Sequence, residues 1–232
     1  LVLLSFDITE RETAEQARRE FTANVSHELK TPLQGIIGSA ELLESGMVKP
    51  EDMPRFLGHI RKEAQRLVAL IADIIRLSQL DEGVELPKEP VELLALSNEV
   101  AENLRAAAEK AEVSIHVDGE AATVFGVRRL LYEMIYNLCD NAVKYNRPNG
   151  SVRIHVENQE GSAVVSVMDT GIGIAPEHQD RIFERFYRVD KSHSKASGGT
   201  GLGLSIVKHA VLYHGGKITL ESKPDQGTEI RV

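Results

Sequence analysis

The sequence predicts an α-helical hairpin, forming a four-helix bundle as a dimer, followed by an α+β two-layer sandwich. Three observations predict it. Apolar residues recur three and four apart from Phe21 to Ile74, the period of packed helices. The segment EGVELPKEP (Glu82–Pro90) then breaks that period with Gly83, Pro87 and Pro90. From Val91 onward, helical runs alternate with short β-rich ones, the order expected of helices packed on one face of a sheet.

Size and composition permit this reading and exclude others. A chain of 232 residues accommodates two domains, and 42% hydrophobic with 27% charged residues is ordinary globular composition, not a disordered or fibrous one. A net charge of -8 without a Lys/Arg-dense stretch opposes binding to nucleic acid, so no direct nucleic-acid partner is expected. The one cysteine, Cys139, rules out an internal disulfide framework and a multi-cysteine zinc site; inside an apolar helical run it reads as a small buried hydrophobe. No window reaches the roughly 18–20 apolar residues of a membrane span. Leu1–Phe6 starts without Met or a basic signal region and reads as the last strand of an upstream domain, so an upstream portion is expected to be missing.

The elements follow in order. Asp7-x-x-Glu10 or Thr9-x-x-Glu12 offers a capping box for a first helix running to about Ser45. Its stripe is Phe21, Val25, Leu29, Leu33 (or Pro32), Ile36, Ala40, Leu43 and Met47. After a turn at Ser45–Pro54, a second helix carries Leu57, Ile60, Ala64, Leu67, Ile71 and Ile74 at bundle spacing. A lone hairpin leaves apolar surface open, which dimerisation would close. The expected domains are 1–14 (end of an upstream sensor domain and connecting helix), 15–82 (hairpin), 83–90 (linker) and 91–232 (sandwich). Within the last, helices are expected near 92–111, 127–145 and 202–213, and strands at 113–117, 123–125, 152–157, 163–169, 217–222 and 228–232. About thirty residues of little pattern before Leu202 suit a functional lid.

Several residues point to chemistry. His27 lies about 200° around the helix from both Val25 and Leu29, so it faces solvent. Glu28 beside it can accept the proton of one ring nitrogen and leave the other nucleophilic. Pro32 withholds an amide from the Glu28 carbonyl and is expected to kink the helix. Further on, Glu133, Asn137 and Asn141 repeat every four residues on one helix face. Their aligned oxygens suit Mg²⁺, while Lys144 and Tyr145 offer a charge for phosphate and a ring for a nucleotide. Asp169 ends an apolar strand before Gly171 and Gly173, and a carboxylate there matches the exocyclic amine of adenine. Gly199, Thr200, Gly201, Leu202 and Gly203 lead directly into a helix whose free amides suit phosphate. The string lacks the terminal GK[ST] of a P-loop. Phe183, Phe186 and Tyr187 can anchor a lid, with Arg185, Arg188, Lys191 and Lys195 placing charge over the phosphates and Gly198 and Gly199 allowing it to move.

Taken together, FTANVSHELKTPL (Phe21–Leu33), NLCDNAVKY (Asn137–Tyr145), DTGIG (Asp169–Gly173), FERFYR (Phe183–Arg188) and GGTGLGL (Gly198–Leu204) resemble, in that order, the H, N, G1, F and G2 boxes of a class I bacterial sensor histidine kinase. The resemblance spans residues 15 to 232. It implies a sandwich of the GHKL ATPase type and the cofactors ATP and Mg²⁺. It also implies phosphorylation of His27 with Glu28 as base, and transfer to an aspartate of a response regulator receiver domain. Thr31 corresponds to a position used in removing phosphate from that partner, and Arg188 to a γ-phosphate contact; His193 stands where relatives often carry arginine. Kinases of this type usually carry sensor and transmembrane segments upstream, so this portion is expected to face the cytoplasm of a membrane-anchored protein. The fold is shared with gyrase-type and chaperone ATPases and with anti-sigma serine kinases, leaving an ATPase and a nucleotide-holding scaffold as alternatives. In those ATPases a glutamate lies four residues before the magnesium-binding asparagine; here that residue is Asn137, which is not basic.

Overall fold

The computed structural model describes residues 9–81, 86–159, 161–189 and 199–232. Leu1–Phe6, the Asp7 cap, Glu82–Glu85 of the linker, and Lys191, His193, Lys195 and Gly198 of the lid lie outside the described residues. The chain divides into two compact units, one ending at Ile74 and the other running from Ile75 to Val232.

The first unit is a helical hairpin. Helix α1 (Thr9–Glu44) meets α2 (Met53–Asp81) through a turn in which Gly46 takes φ +70°, a conformation open to glycine without a Cβ clash. Pro54 sits in the first turn of α2, where its missing amide costs nothing. Pro32 is buried within α1, which runs on through it. Pro32 is therefore the inward residue of the Pro32/Leu33 pair. The apolar stripes expected from the sequence turn out to combine two faces. Ile60, Leu67 and Ile74 are at least half-covered, and Leu70 is buried. Leu33, Ile37, Leu57, Val68 and Ile71 remain exposed, as does Met47 in the turn. A polar tie sits between the helices, where the Ser39 hydroxyl lies 3.1 Å from His59 Nδ1.

The second unit is the expected two-layer sandwich. Its sheet has five strands in the order β2 (Ser114–Gly119), β4 (Ser151–Gln159), β5 (Ser162–Asp169), β7 (Gly227–Arg231) and β6 (Thr219–Lys223). Only the β2–β4 pair is parallel. Helices α3 (Leu93–Lys110), α4 (Arg128–Lys144) and α6 (Gly203–Tyr213) supply the other layer. Alternation along β4 turns Val152, Ile154 and Val156 inward against Leu96, Ile135 and Val207. The outer face stays open and polar. Across β2–β4, Arg153 donates to both Asp118 oxygens at 2.7 and 3.2 Å, which, followed by His155, holds that carboxyl below its usual range.

Two elements escaped the sequence reading. Glu89–Glu92 forms a strand, β1, paired with β3 (Thr123–Gly126) although Pro90 and Pro87 were expected to stop any ladder there. A two-stranded ribbon has an open edge on each strand, so Pro90 can sit opposite Phe125 without breaking pairing elsewhere. The other is the one-turn helix α5 (Pro176–Gln179). Glu92 closes β1 and caps α3, its carboxylate accepting from the Leu94 and Ala95 amides at 2.8 and 2.5 Å. Just before it, the Leu86 amide donates to the Tyr213 hydroxyl at 2.9 Å and Lys88 lies 5.2 Å from that ring, pinning this end of the linker to α6.

Cys139 is fully buried in α4, and burial pushes its thiol well above the ordinary range. We expect no alkylation of the native protein by iodoacetamide and rapid alkylation in denaturant, read by mass spectrometry. Labelling of the native form at the unfolded rate would contradict the packing of α4.

Candidate functional site

His27 projects from α1 with its side chain 80% exposed, because the covered face of the helix runs through Val25 and Leu29. Glu28 is more enclosed, at 25%, and its Oε1 lies 4.0 Å from His27 Nδ1. That spacing is too long for a hydrogen bond. The other oxygen, Oε2, lies 3.5 Å from Nη2 of Arg66, a nearly buried side chain of α2 that also approaches Glu63 at 4.0 Å. Sequence reasoning missed Arg66, since nothing in its spacing within α2 links it to Glu28. The Thr31 hydroxyl donates to the His27 carbonyl at 3.2 Å, one residue before the proline that interrupts the amide ladder.

The second cluster belongs to the sheet unit, where the C-terminal half of α4, the end of β5 and the start of α6 converge. On α4, the Asn137 amide nitrogen donates to the Glu133 carbonyl at 2.8 Å. Its Oδ1 is left facing the α6 N-terminus, where a Cβ placed on Gly203 would lie 2.8 Å away. Asn141 follows one turn later, half-buried. Lys144 Nζ pairs with Asp140 Oδ2 at 2.6 Å, while Tyr145, at the end of α4, keeps an exposed ring. Glu133 does not share the Asn face's role: its Oε1 receives Arg76 and Arg129 at 3.2 and 3.1 Å.

Asp169 closes β5 on the helix-facing side and is half-buried. Burial raises its carboxyl above the ordinary range, opposed by the amides of Gly171, at 2.8 Å from Oδ1, and Thr228. The two glycines after it are explained by the chain's own backbone. A Cβ on Gly171 would fall 2.3 Å from the Tyr145 carbonyl oxygen, and one on Gly173, at φ +67°, would fall 2.0 Å from that of Lys223. What approaches these glycines is protein, and the strand-end loop is sewn to the end of α4 by Ile172 N donating to Tyr145 O at 3.1 Å.

Residues 199–203 run into α6. The Leu202 side chain is wholly in the core and its amide donates to Thr200 Oγ1 at 3.3 Å, so its contribution to any anion site is main chain. The FERFYR segment lies against this loop. Phe186, at φ +64°, donates its amide to the Gly201 carbonyl at 2.8 Å, and Arg188 passes within 3.4 Å of where a Gly201 Cβ would sit. Tyr187 is held by His178 at 2.7 Å and by the Arg181 guanidinium 4.3 Å from its ring. Arg185, expected among charges over phosphate, directs Nη2 to His209 Nε2 at 2.9 Å.

Chemically, the sheet unit presents a carboxylate at a strand end, two asparagine oxygens on one helix face, and a glycine loop at a helix start. Among the described residues, no group of three or more His, Cys, Asp or Glu is placed to hold a metal ion. Neutral asparagine oxygens fit a hard cation that draws its other ligands from phosphate and water.

Two family models match the chain. Residues 17–83 match the family model described as His Kinase A (phospho-acceptor) domain. Residues 126–232 match that described as histidine kinase-, DNA gyrase B-, and HSP90-like ATPase. The chain is 41% identical over 225 residues to the sensor-like histidine kinase SenX3 of Mycolicibacterium smegmatis, covering 96% of this chain and 58% of that protein. It is 37% identical over 228 residues to the sensor protein kinase WalK of Staphylococcus haemolyticus, covering 97% and 38% respectively. The chain thus spans between about two-fifths and three-fifths of the length of these curated relatives. Among solved structures, the mycobacterial sensor histidine kinase MprB aligns at TM-score 0.55 and 30% identity over 62% of this chain and 94% of that one. ShkA, solved with AMPPNP, aligns at TM-score 0.67 and 30% identity over 91% and 44%. No described helix is long and apolar enough to cross a membrane.

Proposed function

The chain belongs to the sensor histidine kinase family, and from that premise we propose that it transfers the γ-phosphoryl group of Mg-ATP to His27 and then to an aspartate of a response regulator receiver domain. The observation that carries this reading is the arrangement around His27. An imidazole whose side chain is 80% exposed has one nitrogen, Nδ1, beside a carboxylate that Arg66 holds in place. With the proton of Nδ1 directed to Glu28, Nε2 attacks the γ-phosphorus in line with the departing ADP oxygen, and Glu28 takes up the proton as the N–P bond forms. Phosphohistidine then serves as donor to the receiver carboxylate. Thr31, one turn from His27, is assigned to removal of phosphate from the regulator.

ATP is assigned to the sheet unit: Asp169 accepts from the adenine amine, Tyr145 lies against the nucleotide, and residues 199–203 with Lys144 and Arg188 meet the phosphates. Gly171 and Gly173 shape the loop that seats Asp169. Asn137 and Asn141 would hold Mg²⁺, which would supply positive charge to offset that of the phosphates. The amide at Asn137 supports kinase over ATPase, because it cannot deprotonate water. The exposed residues Leu33, Ile37, Leu57, Val68 and Ile71 support a homodimer closed into a four-helix bundle. The same reading makes 15–82 the dimerisation and phosphotransfer portion, 83–90 the linker and 91–232 the catalytic portion of a membrane-anchored protein, facing the cytoplasm. Incubation with γ-labelled Mg-ATP tests it. Label on protein that survives alkali and is lost in acid is the expected result; phosphate release without protein label would make the chain an ATPase, and nucleotide binding alone a scaffold.

A further inference from the structure

Arg185, of the FERFYR segment, meets His209 of α6, and the chemistry of the two partners sets the tautomer of the imidazole. A guanidinium only donates, so His209 Nε2, 2.9 Å from Arg185 Nη2, must be the acceptor. A carbonyl only accepts, so His209 Nδ1, 2.8 Å from the Ser205 oxygen, must carry the proton. The imidazole tautomer is thus set by its own helix, with the Nε2 lone pair accepting from the FERFYR segment. Its base is rigid: Ser205 is buried and its hydroxyl donates to the Leu202 carbonyl at 2.7 Å. On the other side, Arg185 directly precedes Phe186, whose left-handed backbone is tied to Gly201, and Arg188 lies three residues further along over the same glycine loop.

We propose that His209 is a positioning residue for phosphoryl transfer, which through Arg185 holds the segment bearing Arg188 against the glycine loop at the start of α6. This rests on the kinase reading above and deepens it. Its chemical content is specific: the position needs an uncharged acceptor facing a guanidinium, on a helix that also carries the phosphate-facing loop. Alanine removes the acceptor, lysine puts a like charge against Arg185, and glutamine restores an acceptor oxygen at comparable reach. A charge-assisted hydrogen bond of this kind corresponds to roughly a tenfold change in rate.

The test compares wild type, His209→Ala, His209→Gln and Arg185→Ala for rate of autophosphorylation against ATP concentration, ADP affinity and melting temperature. The expected result is a kcat lowered about tenfold in His209→Ala, with ADP affinity within about twofold of wild type. His209→Gln should recover most of the rate, and adding Arg185→Ala to His209→Ala should lower it no further. A wild-type rate in His209→Ala would overturn the proposal. So would a glutamine variant as impaired as alanine, or a loss of ADP affinity and melting temperature in parallel with rate, since those mark a packing role. Absence of label on wild-type protein would instead overturn the kinase reading itself.

Discussion

Replacing His27 with glutamine is expected to lower alkali-stable phosphoryl incorporation by more than about 10³-fold, the scale on which loss of a covalent nucleophile registers. The effect should be confined to chemistry. The His27 side chain is 80% exposed, and a surface substitution of this kind changes stability by no more than about 0.5 kcal/mol. ADP affinity and melting temperature should therefore match wild type. Glu28→Gln keeps the nucleophile and removes the proton acceptor, so it should slow labelling by about 10²–10⁴-fold without abolishing it. Arg66 sharpens the comparison, because Glu28 is held at 3.5 Å by a guanidinium that is itself nearly buried. Quantitative labelling of His27→Gln would mean that the phosphoryl group is accepted elsewhere.

Asp169→Asn is expected to weaken ADP and ATP binding by roughly 10- to 150-fold, the equivalent of losing a hydrogen bond to a charged acceptor, about 1.5–3 kcal/mol. The wild-type site should also respond to pH in a way an ordinary surface aspartate would not. Burial raises the Asp169 carboxyl above its usual range, outweighing the Gly171 and Thr228 amides that favour the ionised form. Below that raised value the carboxylate is protonated and no longer a pure acceptor. Nucleotide affinity should therefore start to fall at milder acidity than an ordinary exposed aspartate would suggest. Stability of the nucleotide-free protein should move the other way. Between the unfolded and the raised folded value the native state holds the extra proton, so stability falls as pH rises through that window. Calorimetric ADP titrations and thermal melts across acidic pH, for wild type and Asp169→Asn, would check both signs. Wild-type affinity that stays flat down to the ordinary aspartate range would remove Asp169 from base recognition.

The hairpin was legible because its turn chemistry is local: Gly46 supplies the left-handed residue and Pro54 fits a first helical turn. Its face was less so. Leu57 and Ile71 obey the same spacing as Ile60 and Leu67, yet remain exposed in the single chain, since spacing marks apolar positions without saying which helix covers them. In the sheet unit, the alternation of β4 and β5 announced those strands, but Pro90 hid β1, because its tolerance depends on which edge of a ribbon it occupies. Asp169 and its glycines stood out as a strand end. Their reason did not, since the Tyr145 and Lys223 carbonyls that exclude a side chain come from distant parts of the chain.

By itself the sequence determined the two kinds of unit, their order, the solvent-facing His27, and the residue types able to meet a nucleotide: periodicity, capping and glycine placement act over a few residues and can be read there. Tertiary structure alone decided that Arg66 steadies Glu28 and that Arg185 pairs with His209. Each of these is a pairing between a guanidinium and a polar group of a different element. A long flexible side chain can reach many partners, and only the packed backbone selects one.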